Sequence, residues 1–182
     1  MDIGLLILRI VFGALLIGHG GQKLFGWFGG HGLDGVAGFF HSLGFRPGRP
    51  MAAVAGGSEV LGGLLLGFGL LSPLAGAMII GTMLVAASVH ADKGLWGANG
   101  GYELPLLYAV AAGAVSVSGA GSLSLDHLLG IDEASSAPLG VVAIAVGLVT
   151  GAAVIVRARG LLAAEGAEVA EPSVSHADPA AA

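Results

Sequence analysis

LLILRIVFGALLIGHGGQKLFGWFGG, Leu5 to Gly30, decides how this chain is read. An apolar run from about Ile3 to Gly21 is long enough, at about 1.5 Å per residue, to cross a hydrocarbon core of about 30 Å. It ends in a polar, glycine-rich loop that begins at His19. A second such loop, HADKGLWGANGGYE from His90 to Glu103, follows a later apolar run. Each carries a His, a Lys three or four residues on, and then a Trp among glycines. The rest of the chain is mostly hydrocarbon, so its side-chain chemistry concentrates near these two stretches.

Composition agrees. Hydrophobic residues make up 55% of the 182 and charged residues 10%, against about 25% charged in soluble domains. Too few charges are present to cover a water-facing surface, and an integral membrane protein is the reading. The N-terminus has Asp2, no basic n-region and no small-x-small cleavage site, so the first run reads as a retained span rather than a signal peptide. There is no cysteine, which excludes disulfides, thiolate metal sites and a thiol nucleophile. A net charge of −5 argues against nucleic acid as a partner. The 34 glycines suit helices that pack closely in lipid, where small residues let backbones approach.

Five spans are expected, all α-helical: about Ile3–Gly21, Met51–Leu71, Leu74–His90, Glu103–Val117 and Pro138–Val156. Between the first two, FFHSLGFRPGRP with Phe39, Phe40 and Phe45 reads as a short helix lying at the membrane surface, and Pro47 and Pro50 break the chain after it. Residues 1–125 form a four-helix membrane core, 126–137 an acidic polar loop with Asp126, Asp132 and Glu133, 138–157 an extra transmembrane helix, and 158–182 an acidic Ala/Pro-rich tail expected to be disordered. Lys23, Arg46, Arg49, Lys93, Arg157 and Arg159 all fall on one side of such a five-span chain. The positive-inside rule puts that side in the cytoplasm, with the N-terminus outside and the C-terminus inside.

Depth along the helices suggests partners. Counting from the outer surface, Arg9 lies about 9 Å down, Glu59 about 18 Å and His19 about 24 Å. An Arg9–Glu59 intramembrane ion pair follows, read either as a structural lock on helix register or as a charged site for a headgroup or a proton. His90 and Glu103 arrive level with His19 and Lys23. His19 reads as an interfacial histidine bonded to a neighbouring helix, with haem ligation by His19 and His90 as the sharper alternative. Trp27 and Trp96 fit an aromatic belt at the headgroups, though Asn99, Tyr102 and Glu103 give Trp96 unusually polar company. No spacing points to a metal site, and the glycine pairs are not phosphate loops.

At these residues the chain resembles the DoxX family of bacterial membrane proteins. LLILRIVFGALLIGHGGQKLFGWFGG, GFFHSLGF, GGSEVLGGLLLGFGLL and KGLWGANGGYELPLL look like its successive blocks, over about Leu5 to Leu125. The resemblance implies a four-helix membrane core in a bacterial cell membrane, which the fifth span and tail exceed. It carries over Arg9, His19, Gly20, Gln22, Lys23, Gly26, Glu59, Asn99, Gly100, Gly101, Tyr102 and Glu103, without settled roles. The family name comes from a thiosulfate:quinone oxidoreductase, and some members are linked to complexes with a superoxide dismutase and a sulfurtransferase in thiol and oxidative stress.

The functional expectation is therefore a redox-linked subunit that binds a quinone, has no intrinsic cofactor, and works with a partner oxidoreductase or sulfurtransferase. Its ligand-pocket candidates are His19, Gln22, Lys23, Trp27, Glu59, His90, Trp96, Asn99, Tyr102 and Glu103. The alternative is a non-enzymatic membrane scaffold or small transporter, and a homo-oligomer stays open for either.

Overall fold

In the computed structural model, which describes residues 2–170, the protein is all α-helical. Seven α-helices follow one another: α1 Asp2–Phe25, α2 Gly32–Ser42, α3 Gly48–Phe68, α4 Ser72–His90, α5 Glu103–Ser118, α6 Leu125–Leu128 and α7 Ala137–Ala170. Among the described residues, four helical stretches are long and apolar enough to cross a membrane: Asp2–Phe25, Gly48–Phe68, Ser72–Lys93 and Ala137–Glu168. The fourth expected span, α5, is shorter at 16 residues. Side chains such as Ile7, Val11, Leu15, Leu64, Leu107, Val110 and Val149 stand exposed around the bundle. That apolar girdle is a lipid-facing surface, and the protein is a multi-pass membrane protein.

Glycines set the packing. α1 and α3 run antiparallel, and a Cβ on Gly13 would lie 2.6 Å from the Gly63 carbonyl oxygen. One turn pair further along, a Cβ on Gly20 would lie 2.6 Å from the Gly56 carbonyl oxygen and 2.6 Å from a Val60 methyl. α4 and α7 run parallel, with Gly147 against Ala77 and Ile80, and Gly151 against Gly81 and Leu84. Between these two pairs lies the core of Leu16, Leu66, Ala75, Ile79, Ile80, Met83, Tyr108, Ala112 and Val115.

The two ends of the bundle differ. At one end α3 turns into α4 through Gly69 and Leu71, both left-handed with φ of 65° and 48°. Asp126, wholly buried, holds that turn: its Oδ1 accepts from the Leu71 N–H at 2.9 Å, and its own N–H donates to the Gly69 carbonyl at 3.1 Å. Its Oδ2 accepts from the Ser135 hydroxyl. The stretch expected to be an acidic loop is thus an ordered cap, with α6 and a 3₁₀ turn at Asp132–Ser135. At the other end, which carries Lys23, Arg46, Arg49, Lys93 and Arg157, the helices open into the two glycine-rich loops. We call these the capped end and the basic end.

α7 also departs from expectation. It stays helical over 158–170, where composition suggested disorder. Ala, Leu, Glu and Arg are strong helix formers, and the extension docks on the Gly44–Arg46 turn through polar contacts described below. The remainder of that expected tail, 171–182, lies outside the described residues.

Substituting Gly20 by Val is expected to force α1 and α3 apart and cost about 1–3 kcal/mol. Gly57, whose Cβ would meet nothing within 4 Å, tolerates Ala and should gain about 0.5–1 kcal/mol of helix stability. Reversible unfolding in mixed micelles, compared between the two variants, checks the pair.

Candidate functional site

The basic half of the bundle holds a cavity of about 350 Å³. α3 and α4 supply two of its walls, through Met51, Val54, Ala55 and Ser58 and through Met78, Thr82, Val85 and Val89. α7 supplies the third with Thr150, Gly151 and Val154. Phe39, Phe40 and Phe45, from α2 and the turn after it, complete the lining. Most of this surface is hydrocarbon or aromatic.

Charge enters at one place. Glu59 lies on the buried side of α3 and is 1% exposed. Lys23, in the last turn of α1, donates to both of its oxygens, at 2.8 Å to Oε1 and 2.7 Å to Oε2. The Lys23 side chain is 26% exposed, so the pair joins a buried carboxylate to an ammonium that reaches the surface. Both residues line the cavity, and so does His90. Two of the three ammonium donors are used. The third has no partner among the described residues, and the carboxylate keeps lone pairs beyond those that face Lys23.

The expected Arg9–Glu59 pair does not form. With Gly13 opposite Gly63 and Gly20 opposite Gly56, Glu59 stands level with residue 17. That is about 12 Å along the axis from Arg9. Lys23 sits roughly 9 Å away in the other direction, and its flexible four-carbon stem bridges the gap. Arg9 points instead to the capped end, where it is fully buried and donates from Nη2 to the Leu123 carbonyl oxygen. Its Nε and Nη1, like the Ser72 hydroxyl, have no partner among the described residues.

The other candidates scatter around the basic end. His19 packs edge-on against Tyr108, ring centroids 5.7 Å apart. His90 Nδ1 lies 2.9 Å from the Gly100 carbonyl oxygen, so the two histidines make separate contacts. Gln22 carries Gly30 against its backbone, where a Cβ on the glycine would come within 2.6 Å of the Gln22 Cα. Trp27 covers Gly21 and packs in a tilted pair with Phe25, ring centroids 5.3 Å apart. The His90–Glu103 loop closes on itself. Glu103 Oε2 accepts from the Gly97 N–H at 2.8 Å, and the Tyr102 and Glu103 N–H groups donate to Gly94 and Leu95. Trp96 and Asn99 are exposed on its rim, and Tyr102 is half-buried.

Part of this site carries little signal in the sequence. Phe39, Phe40 and Phe45, expected on a helix at the membrane surface, line the cavity. Thr150 is a lone hydroxyl in an otherwise apolar span, and that is the signal in the sequence that marks the α7 wall. Tyr108, 3% exposed, lies outside the cavity lining, in the core beside His19. Among the described residues no three of His, Asp and Glu gather as metal ligands would.

The DoxX family model matches residues 4–91. An uncharacterized protein of Haemophilus influenzae is 40% identical over 79 residues, which are 42% of this chain and 51% of that protein. The chain therefore spans about half the length of that relative. A Bacillus subtilis protein bearing the name "Putative oxidoreductase CatD" is 30% identical over 106 residues, 58% of this chain and 73% of its own. No solved structure matches.

The ion pair predicts an asymmetry. Lys23→Met leaves a buried carboxylate without its partner and should cost about 3–5 kcal/mol. Glu59→Gln leaves an ammonium that can turn to water, and should cost about 1 kcal/mol. Unfolding of the two variants in the same detergent measures the difference, and equal losses would contradict this account of the pair.

Proposed function

The chain belongs to the DoxX family, and on that premise we propose that it is a redox-linked membrane subunit whose basic-end cavity binds a quinone. The observation that carries the reading is a twice hydrogen-bonded Lys23–Glu59 pair on the wall of a cavity that is mostly apolar. A quinone needs this combination: room for an isoprenoid tail among Phe, Met and Val, and polar atoms for the ring oxygens. The unused Lys23 N–H suits a quinone carbonyl, and Glu59 can accept from a quinol hydroxyl. His90, on the same lining, offers a second polar contact.

Reduction of a bound quinone takes two electrons and two protons. The two electrons come from a partner oxidoreductase that oxidises its own substrate, in thiol and oxidative stress or sulfur metabolism, and a sulfurtransferase is a further partner of such a complex; this chain supplies no thiol of its own. Protons reach the ring oxygens through Lys23, whose partial exposure links the pair to water. The name of the Bacillus subtilis relative is consistent with redox work. His19 and Tyr102, both expected as quinone ligands, do not line the cavity, so their roles shift to supporting α1 and closing the second loop.

The topology proposed with this reading has five spans, α1, α3, α4, α5 and α7, with the basic end cytoplasmic. At about 24 Å, α5 is short for a span, and α4 and α7 enclose much of it. Single cysteines placed at Gly29 and at Gly130 in this cysteine-free chain should react with an impermeant thiol reagent from opposite sides of the membrane, the first only after the cells are opened.

Quinone binding is tested by titrating the purified protein with ubiquinone-1 and menadione, and by extracting its retained small molecules. Binding in the micromolar range that drops at least tenfold in Lys23→Met and Glu59→Gln, in protein that stays folded, is the expected result. Retention of phospholipid alone, with no saturable quinone binding, would move the function to the scaffold or transporter alternative.

A further inference from the structure

The cavity's aromatic floor is held in place from outside the bundle. Phe40 and Phe45 pack with ring centroids 5.5 Å apart, and Phe45, only 5% exposed, sits in the turn that leads from α2 into α3. The extension of α7 grips that turn. Gly44 lies so close to Ala158 and Leu162 that a Cβ there would lie 2.8 Å from the Leu162 Cγ, and its φ of 81° already favours glycine. Arg157 Nη1 donates to the Arg46 carbonyl oxygen at 2.6 Å. The Arg46 guanidinium forms a forked pair with Glu165, one arm from Nη2 to Oε2 at 2.7 Å and the other from Nη1 to Oε1.

We propose that the end of α7 is a latch: by holding Arg46 through Glu165 and Arg157, it keeps Phe45 over the cavity and sets how fast a ligand enters. The proposal rests on the reading of the cavity as a ligand site. A rigid lining has no need of such an attachment from a helix that runs past the bundle, and a buried clamp would not release. This one is on the surface, with side-chain exposures of 24% for Arg46 and 51% for Glu165. Exposed pairs of this kind are weak and screened by salt, so the turn can lift without unfolding α2 or α3. The same arrangement makes entry selective for apolar ligands, because what lies behind the latch is Phe39, Phe40 and Phe45.

The chain has no cysteine, so access can be read directly. Ser58, on the cavity wall, is replaced by Cys, and its reaction with N-ethylmaleimide is timed in lipid nanodiscs. Val11→Cys, on the lipid-facing surface, serves as the control. Adding Glu165→Gln should speed labelling at position 58 roughly two- to fivefold without changing the rate at position 11. Raising the salt should do the same in the parent. The double reversal Arg46→Glu with Glu165→Arg should restore the slow rate. An unchanged rate at 58, or equal acceleration at 58 and 11, would overturn the latch. The reading uses no quinone, so a cavity that opens faster in Glu165→Gln yet never binds quinone would uphold the latch and reject the quinone.

Discussion

The contact between the α1 and α3 backbones governs the rest of this protein. Gly13 against Gly63 and Gly20 against Gly56 allow the two helices to touch, and they also fix the register. Once that register is set, Glu59 can face neither lipid nor Arg9. It must be satisfied from the end of α1, and Lys23 is the residue whose length meets that demand. A carboxylate in hydrocarbon is expensive by itself, so the small-residue seam and the ion pair depend on each other. The seam brings the helices near enough for the pair, and the pair penalises any slip along the seam.

Arg9 meets the same constraint by a different route. It lies on a spanning helix and is fully buried, so it cannot extend to the headgroups on its own. The cap folds down to it instead. Leu123 presents a carbonyl oxygen to the guanidinium, and Asp126 ties the α3–α4 turn to the 3₁₀ turn that precedes α7. The cap is therefore as much a part of the membrane core as the helices are, although most of its neighbouring leucines face outward.

Much of this could be read from the residues. Apolar runs place α1, α3, α4 and α5 within a few positions and the start of α7 within one, but not its end, and the two polar loops, Glu59, Lys23 and His90 stand out because polar groups are rare in such a chain. The pairing went astray because depth was counted on each helix alone, whereas register is a property of two helices and rests on glycines that carry no side-chain signal. Asp126 looked like one acid among several in a loop, since nothing local distinguishes a buried carboxylate from an exposed one when its partners are backbone N–H groups. α7 counts as an addition to the core on the resemblance alone, because it lies beyond the four helices that the resemblance implies. Its part in the cavity rests on Thr150, Gly151 and Val154, whose meaning appears only when α4 lies beside them.

Between the two polar ends lies a dry layer of Leu16, Leu66, Ile79 and Tyr108. Across a membrane at voltage, the potential falls mainly through material of this kind rather than through regions that water or mobile charge can reach. A charge that enters by Lys23 and stops at Glu59 thus crosses the stretch between the basic end and that layer, and not the layer itself. A proton bound at this pair would therefore come from the compartment at the basic end, and the membrane voltage would act on it only over the depth from that end to Glu59.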